Sequence, residues 1–266
     1  MSGLFGGRFA AGIIALTLAA SACDYDSTGN DTGYDGSIGG VRFDAKVFTA
    51  SGDLTAVLAD FRAALGDPVN RDPGEVATGR REVNWDGVSG VNLNVNTFPA
   101  DCFNRVVPRG QVYATAGTGF RVSDNALADL NPEYPSQFAA FSPAKVFIPV
   151  GSRDMTVNFQ VAGNDTPALV TGFGVVFSDV DRAQSATLSF FDTQGRLLRR
   201  VAAPVRSDAA GFSFVGVTFP TAIVARVEIR SGQAAITGAN RDISVGGVFD
   251  LVVMDDFISG EPHAAP

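Results

Sequence analysis

The chain has 266 residues, enough for one large domain or two small ones, with 20 basic and 28 acidic side chains. A net charge of −8 leaves no surplus of cations to displace counterions from phosphates, which disfavours a nucleic-acid partner. A hydrophobic share of 45% with 21 phenylalanines excludes a disordered chain, and the single histidine, His263, argues against His-rich metal centres and against Ser-His or Cys-His catalysis.

The chain opens on a leader. Residues 1–22 carry one charge, Arg8, then an apolar stretch from Phe9 to Ala20 and small residues, the anatomy of a secretory signal peptide. Ala20-Ser21-Ala22-Cys23 resembles a bacterial lipobox, with Ala20 where leucine is expected, so Cys23 becomes an acylated first residue. The alternative is a general cleavage after Ala22 and a secreted protein. Residues 23–40 hold four aspartates, no base and many glycines, the composition of a flexible acidic tether. Lipid on Cys23 leaves the second cysteine, Cys102, as a buried small hydrophobe. The expected location is the bacterial cell envelope, with the membrane as a partner through Cys23.

From Val41 the pattern alternates with period two, and residues 41–260 read as one all-β domain. Val41, Phe43, Ala45 and Val47 form the first strand pattern. One helix follows: Ser51-Gly52-Asp53 supplies the cap, Leu54, Val57, Leu58, Phe61 and Leu65 share a face, and Gly66 with Pro68 ends it. After a polar loop over 67–79, strands are expected over 80–86, 91–96, 112–114, 120–122, 146–148, 157–161, 168–177, 186–191, 212–219, 223–229 and 249–258. The doubly apolar run 168–177 reads as a central strand. Many short strands without a βαβ rhythm predict an antiparallel two-sheet sandwich, jelly-roll-like, with one short N-terminal helix. A division near Pro143–Ser152 is the less favoured alternative, and residues 261–266 read as a frayed tail.

Several segments resemble a family of exported bacterial proteins that carries no assigned activity: Gly79-Arg-Arg-Glu-Val-Asn-Trp-Asp-Gly87, Phe98-Pro-Ala-Asp-Cys-Phe-Asn104, Gly117-Thr-Gly-Phe120, Gly172-Phe-Gly-Val-Val-Phe-Ser-Asp-Val-Asp181 and Val252-Val-Met-Asp-Asp-Phe257. The C-terminal part looks like galactose-binding-like and carbohydrate-binding jelly rolls, whose final strand ends in an Asp-Asp-hydrophobic sequence. That resemblance implies a structural calcium held with help from Asp255 or Asp256.

Parity gives the same pair independent weight. Asp255 shares a face with Phe249, Leu251, Val253 and Phe257, and a carboxylate in a core costs several kcal/mol unless it is paired or bound to a cation. The candidate cofactor is therefore a structural Ca²⁺ on Asp255 and Asp256; the alternative is a bulge that gives both side chains solvent, an arginine or loop amides. Asp179 and Asp181 lie on one side of a strand end, spaced for a cation, for acid–base glycoside cleavage, or for a self-capping turn. Arg80, Glu82, Asn84 and Asp86 form a polar row that could line a ligand groove, while Trp85, Tyr113 and Tyr134 are the aromatic platforms for a sugar. Walker, G-x-S-x-G, CxxC and dinucleotide motifs are absent from the sequence. The expected function is a non-catalytic, lipid-anchored envelope module binding a glycan or a protein. The alternatives are a carboxylate glycan hydrolase using Glu82, Asp86, Asp179 or Asp181, and a purely structural lipoprotein.

Overall fold

The computed structural model describes residues 43–266; the expected signal peptide, the expected lipidation site Cys23 and the expected tether lie outside the described residues. The strands are β1 (Lys46–Ser51), β2 (Arg80–Val83), β3 (Gln111–Thr115), β4 (Gly119–Ser123), β5 (Val146–Val150), β6 (Asp154–Phe159) and β7 (Ala168–Leu169). They continue as β8 (Gly172–Ser178), β9 (Ala186–Phe191), β10 (Leu197–Ala202), β11 (Phe212–Thr218), β12 (Arg226–Ser231), β13 (Val253–Gly260) and β14 (His263–Ala264). Helix α1 spans Thr55–Leu65, and a single turn, α2, covers Cys102–Arg105.

The strands build an antiparallel sandwich, as the alternation predicts. One sheet has seven strands in the order β1-β11-β8-β13-β5-β4, with β2 joining β13; the other has five, β10-β9-β12-β6-β3. The inward parities of both sheets meet in one core, with Phe147, Phe173, Phe177 and Phe257 from the first against Val157, Leu188, Phe190 and Val227 from the second. Trp85 stacks on Phe147 at 3.9 Å between ring centroids and donates its indole N–H to the Asp255 carbonyl, so it anchors this core.

The seven-stranded sheet is covered on its outer face too. Helix α1 lays Leu58, Phe61 and Leu65 on Phe48, Val176, Phe214 and Ile258. The segment carrying Leu127, Tyr134 and Phe138 packs on Val146, Ile148, Leu251 and Val253. That double cover is why β8 and β13 are buried along their whole length, and why the run 168–177 lacks a polar face. The five-stranded sheet has its outer parity polar: Thr156, Ser189, Arg200, Glu228 and Arg230 are at least partly accessible.

Helix α1 begins where expected, with Asp53 Oδ1 accepting from the Thr55 N–H, and Gly66 closes it at φ +97. Three expectations change. The run 91–96 is not a strand: residues 90–92 form a 3-10 turn, Asn94 takes φ +54, and Val91 is 88% exposed. Its Val-Asn alternation has no neighbouring strand to pair with beyond one bridge, Leu93 to Val122. The strand expected over 80–86 stops at Val83, because Trp85 turns left-handed at φ +65 to enter the core. The last residues are ordered rather than frayed. His263 and Ala264 pair with Leu169 and Ala168, and Glu261 is 2% exposed.

Glu261 explains that order. Arg81, wholly buried, donates to both Glu261 oxygens at 2.8 and 2.6 Å and to the carbonyls of Asp72, Gly74 and Pro108. The Asn70 amide also donates to Glu261. A buried ion pair tolerates its desolvation only when the remaining donors are satisfied, and here they are held by the loop over 67–79 and by the Pro108 carbonyl.

Candidate functional site

The expected ligand row makes several bonds within the protein, while Asp86 Oδ1 has no hydrogen-bond partner. Glu82 accepts from Arg62 at 3.1 Å and from Arg80 at 2.7 Å, and Arg80 also reaches the Gly66 carbonyl and Asp67. Burial works against the Glu82 charge, but the hydrogen bonds from Arg80 and Arg62 outweigh it and hold this carboxyl below its usual range. Asn84 donates to Asp86 at 2.9 Å. Glu82 and Asn84 do border a 280 Å³ pocket walled by Val88, Phe98 and Phe103, where the free thiol of Cys102 lies buried.

Tyr113 and Tyr134 are not platforms. Tyr113 is 3% exposed within the inter-sheet core, and Tyr134 is fully buried with its one hydroxyl hydrogen shared between the carbonyls of Thr237 and Asn240. Both hydroxyls have their partners inside, which is what brings a tyrosine into a core. Trp85, 1% exposed, is equally closed to a ligand.

Asp255 and Asp256 fall at an irregularity of the β13–β8 register between Met254 and Phe257. Asp255 Oδ2 accepts from the N–H groups of Phe141 and Ser142 at 2.6 and 3.1 Å, and Oδ1 from the Ser142 hydroxyl. Arg62 stands 3.9 Å from Asp256. The loop amides thus engage Asp255, as the alternative reading has it, while Asp256 Oδ1 is buried without a hydrogen-bond partner. Burial and the adjacent Asp256 push the Asp255 carboxyl up to about 8.

Asp179 and Asp181 are brought together with a residue that the spacing did not reveal. They leave the end of β8 and converge on Asp242, from the turn before β13, with one oxygen of each within 4.8 Å of the others. Asp179 is fully buried, and neither of its carboxylate oxygens has a hydrogen-bond partner. Asp242 accepts from the N–H groups of Ser244 and Leu251, which hold it in place. Asp250, also fully buried, accepts from the N–H groups of Asp181 and Arg182 through Oδ2 and leaves Oδ1 unpartnered. Burial first, then Asp242, Asp181 and Asp250, push Asp179 up to about 8; burial with Asp242 and Asp250 takes Asp181 to about 6. Asp242 stands about sixty positions from Asp181, and no local pattern in Asn240-Arg241-Asp242 links them.

The outer face of the five-stranded sheet holds a second constellation. Register aligns Ala114 with Thr156, Thr156 with Glu228, Glu228 with Ser189 and Ser189 with Arg200, one row crossing all five strands. Beside it Arg230 pairs with Asp154 at 2.8 Å. The row lines an open cleft of about 440 Å³. Sequence reading left it unnoticed, since its members come from five separate strands. Among the described residues, no helix is long and apolar enough to cross a membrane.

No protein-family model matches the chain, and no curated protein does. Among solved structures, the enzymatically active domain of tailspike protein 4 of bacteriophage CBA120 matches at 16% identity with a TM-score of 0.29. The match covers 65% of this chain and 22% of that one, about a fifth of its length, and carries no argument for fold or function.

Proposed function

We propose that this protein is a non-catalytic module of the bacterial envelope, lipid-anchored at Cys23, that holds a glycan on the outer face of its five-stranded sheet. The observation that carries the reading is the Ala114–Thr156–Glu228–Ser189–Arg200 row. It spans four inter-strand steps, roughly 19 Å, and alternates hydroxyl, carboxylate and guanidinium groups of the kind that hydrogen-bond sugar hydroxyls. The seven-stranded sheet offers no equivalent face, since helix α1 and the 127–138 segment cover it. Support for a non-catalytic role comes from the acids themselves. Glu82 is bound to two arginines, and Asp179 is closed to solvent.

Retention on mixed envelope glycans tests the reading. Glu228→Ala and Arg200→Ala are expected to reduce retention at least tenfold, about 1.4 kcal/mol for one lost charged contact, while leaving the melting midpoint within a few degrees. Retention of no glycan, or retention untouched by both changes, overturns the proposal; capture of an envelope protein instead favours a protein partner. Release of reducing ends would point to the hydrolase. A palmitate analogue is expected to label the wild-type chain and not Cys23→Ser.

A further inference from the structure

We infer that Asp179, Asp181 and Asp242 form a site for one hard divalent cation, Ca²⁺ by preference, with Asp250 at its border. The site lies on the loops at the end of β8 and before β13, so it stands independently of the glycan face.

Two observations carry this. The three carboxylates present oxygens within 4.8 Å of one another. Ligands on opposite sides of one Ca²⁺ are separated by at most about 5 Å, twice a Ca–O distance, and three carboxylates suit Ca²⁺ better than Mg²⁺, which keeps several waters and takes one or two carboxylates. Independently, the Asp179 side chain is wholly buried in the middle of this group with neither oxygen satisfied, and Asp250 Oδ1 beside it is equally unsatisfied. Buried polar atoms find partners as a rule, and the unpartnered oxygens of Asp179, Asp181 and Asp250 beside Asp242 call for a positive charge. The arginines next to the cluster in sequence point elsewhere: Arg182 sends its guanidinium to Gln233 and to the Val248 carbonyl, and Arg241 sends its own to Glu133.

The donor set sorts the ion class. All ligands are oxygens, without thiol or imidazole, which suits Ca²⁺ and disfavours zinc or copper. Three carboxylates leave the rest of a six-to-eight oxygen shell to water and to main-chain carbonyls. The backbone is already arranged for rigidity, since the N–H groups of Ser244, Leu251, Asp181 and Arg182 each donate to a ligand or border carboxylate. A bound ion would therefore fasten the β8 exit to the segment 242–250.

The test is thermal melting of the whole protein in CaCl₂, MgCl₂ and EGTA, with a calorimetric titration of Ca²⁺. Calcium a hundredfold above its Kd is expected to raise the midpoint by roughly 5–10 °C, with one ion bound per chain and a smaller response to magnesium. Asp179→Asn is chosen because asparagine accepts the left-handed backbone that Asp179 holds at φ +71. It is expected to lose most of the calcium shift, yet in EGTA to melt no lower than wild type, because a buried, unpartnered acid set among other acids is gone. A purely structural carboxylate would give the opposite, a lower midpoint in EGTA. Asp181→Asn provides a second variant, and Asp165→Asn, on an exposed ion pair with Arg105, should keep the full shift. Equal midpoints in calcium and EGTA, an unchanged shift in both cluster variants, or a magnesium response equal to that of calcium would overturn the assignment.

Discussion

Asp255 is a buried acid whose protonation the fold controls. With its carboxyl raised to about 8 by burial and by Asp256, the folded protein keeps a proton that an unfolded chain releases near the ordinary aspartate value of 3.8. Folded molecules therefore bind more protons than unfolded ones between these limits. Stability falls as pH rises through the window, by at most about 1.4 kcal/mol per pH unit for a single group. Asp255→Asn keeps a neutral side chain whose carbonyl can still accept from Phe141 and Ser142. Denaturation midpoints measured from about pH 5 to about pH 8 should decline less in this variant than in wild type. Parallel curves would show that Asp255 is ionised throughout. The parity argument found this residue but not its partners, because the amides of Phe141 and Ser142 lie more than a hundred positions upstream, in a loop without periodicity.

At the scale of elements, helix α1 is seated by two glycines. Gly216 on β11 and Gly174 on β8 face each other in register and leave a hollow that the Phe61 ring fills. Phe61 also meets Phe48 and Phe214 edge-on, each at 5.2 Å. A methyl on Gly216 would come within 2.8 Å of Phe61 and 2.9 Å of Phe214. Strand glycine normally gains by becoming alanine, by roughly 0.5–1 kcal/mol. Here overpacking wins, and Gly216→Ala should cost about 1–3 kcal/mol, a drop of roughly 2–12 °C in the melting midpoint. The loss should shrink in a Phe61→Leu background, as a double-mutant cycle would read; equal losses in both backgrounds would separate the glycine from the helix. The helix itself was legible, since Leu58, Phe61 and Leu65 repeat at its period. So were β6, β9 and β12, each with one wet face. The glycine seat was not, because Gly174 and Gly216 meet only across strands 42 positions apart in sequence. The false strand over 91–96 shows the converse: alternation describes a side-chain pattern, but a strand also needs a neighbour for its amides.

Over the whole molecule, the two halves of the chain are interleaved. Strand β13 pairs with β8 on one side, and on the other with β5 near its start and β2 near its end. The five-stranded sheet likewise takes β3 from the first half. Pro143–Ser152 is thus no boundary, and a fragment over 152–266 would lack β2, β3 and β5. It should show no cooperative unfolding transition and little amide protection in β13; a sharp transition would mean that the C-terminal strands make a body alone. The ligand cleft and the acidic cluster share one cause of invisibility, since each is assembled by pairing between distant segments. The Arg81–Glu261 lock adds an order in time. During synthesis, 180 residues separate the guanidinium from its counter-charge, and the middle strand of the larger sheet immediately precedes the glutamate. Until residue 261 has left the ribosome, Arg81 has no carboxylate to bury against, and the sheet has no centre. The larger sheet can close only once both ends of this lock are present.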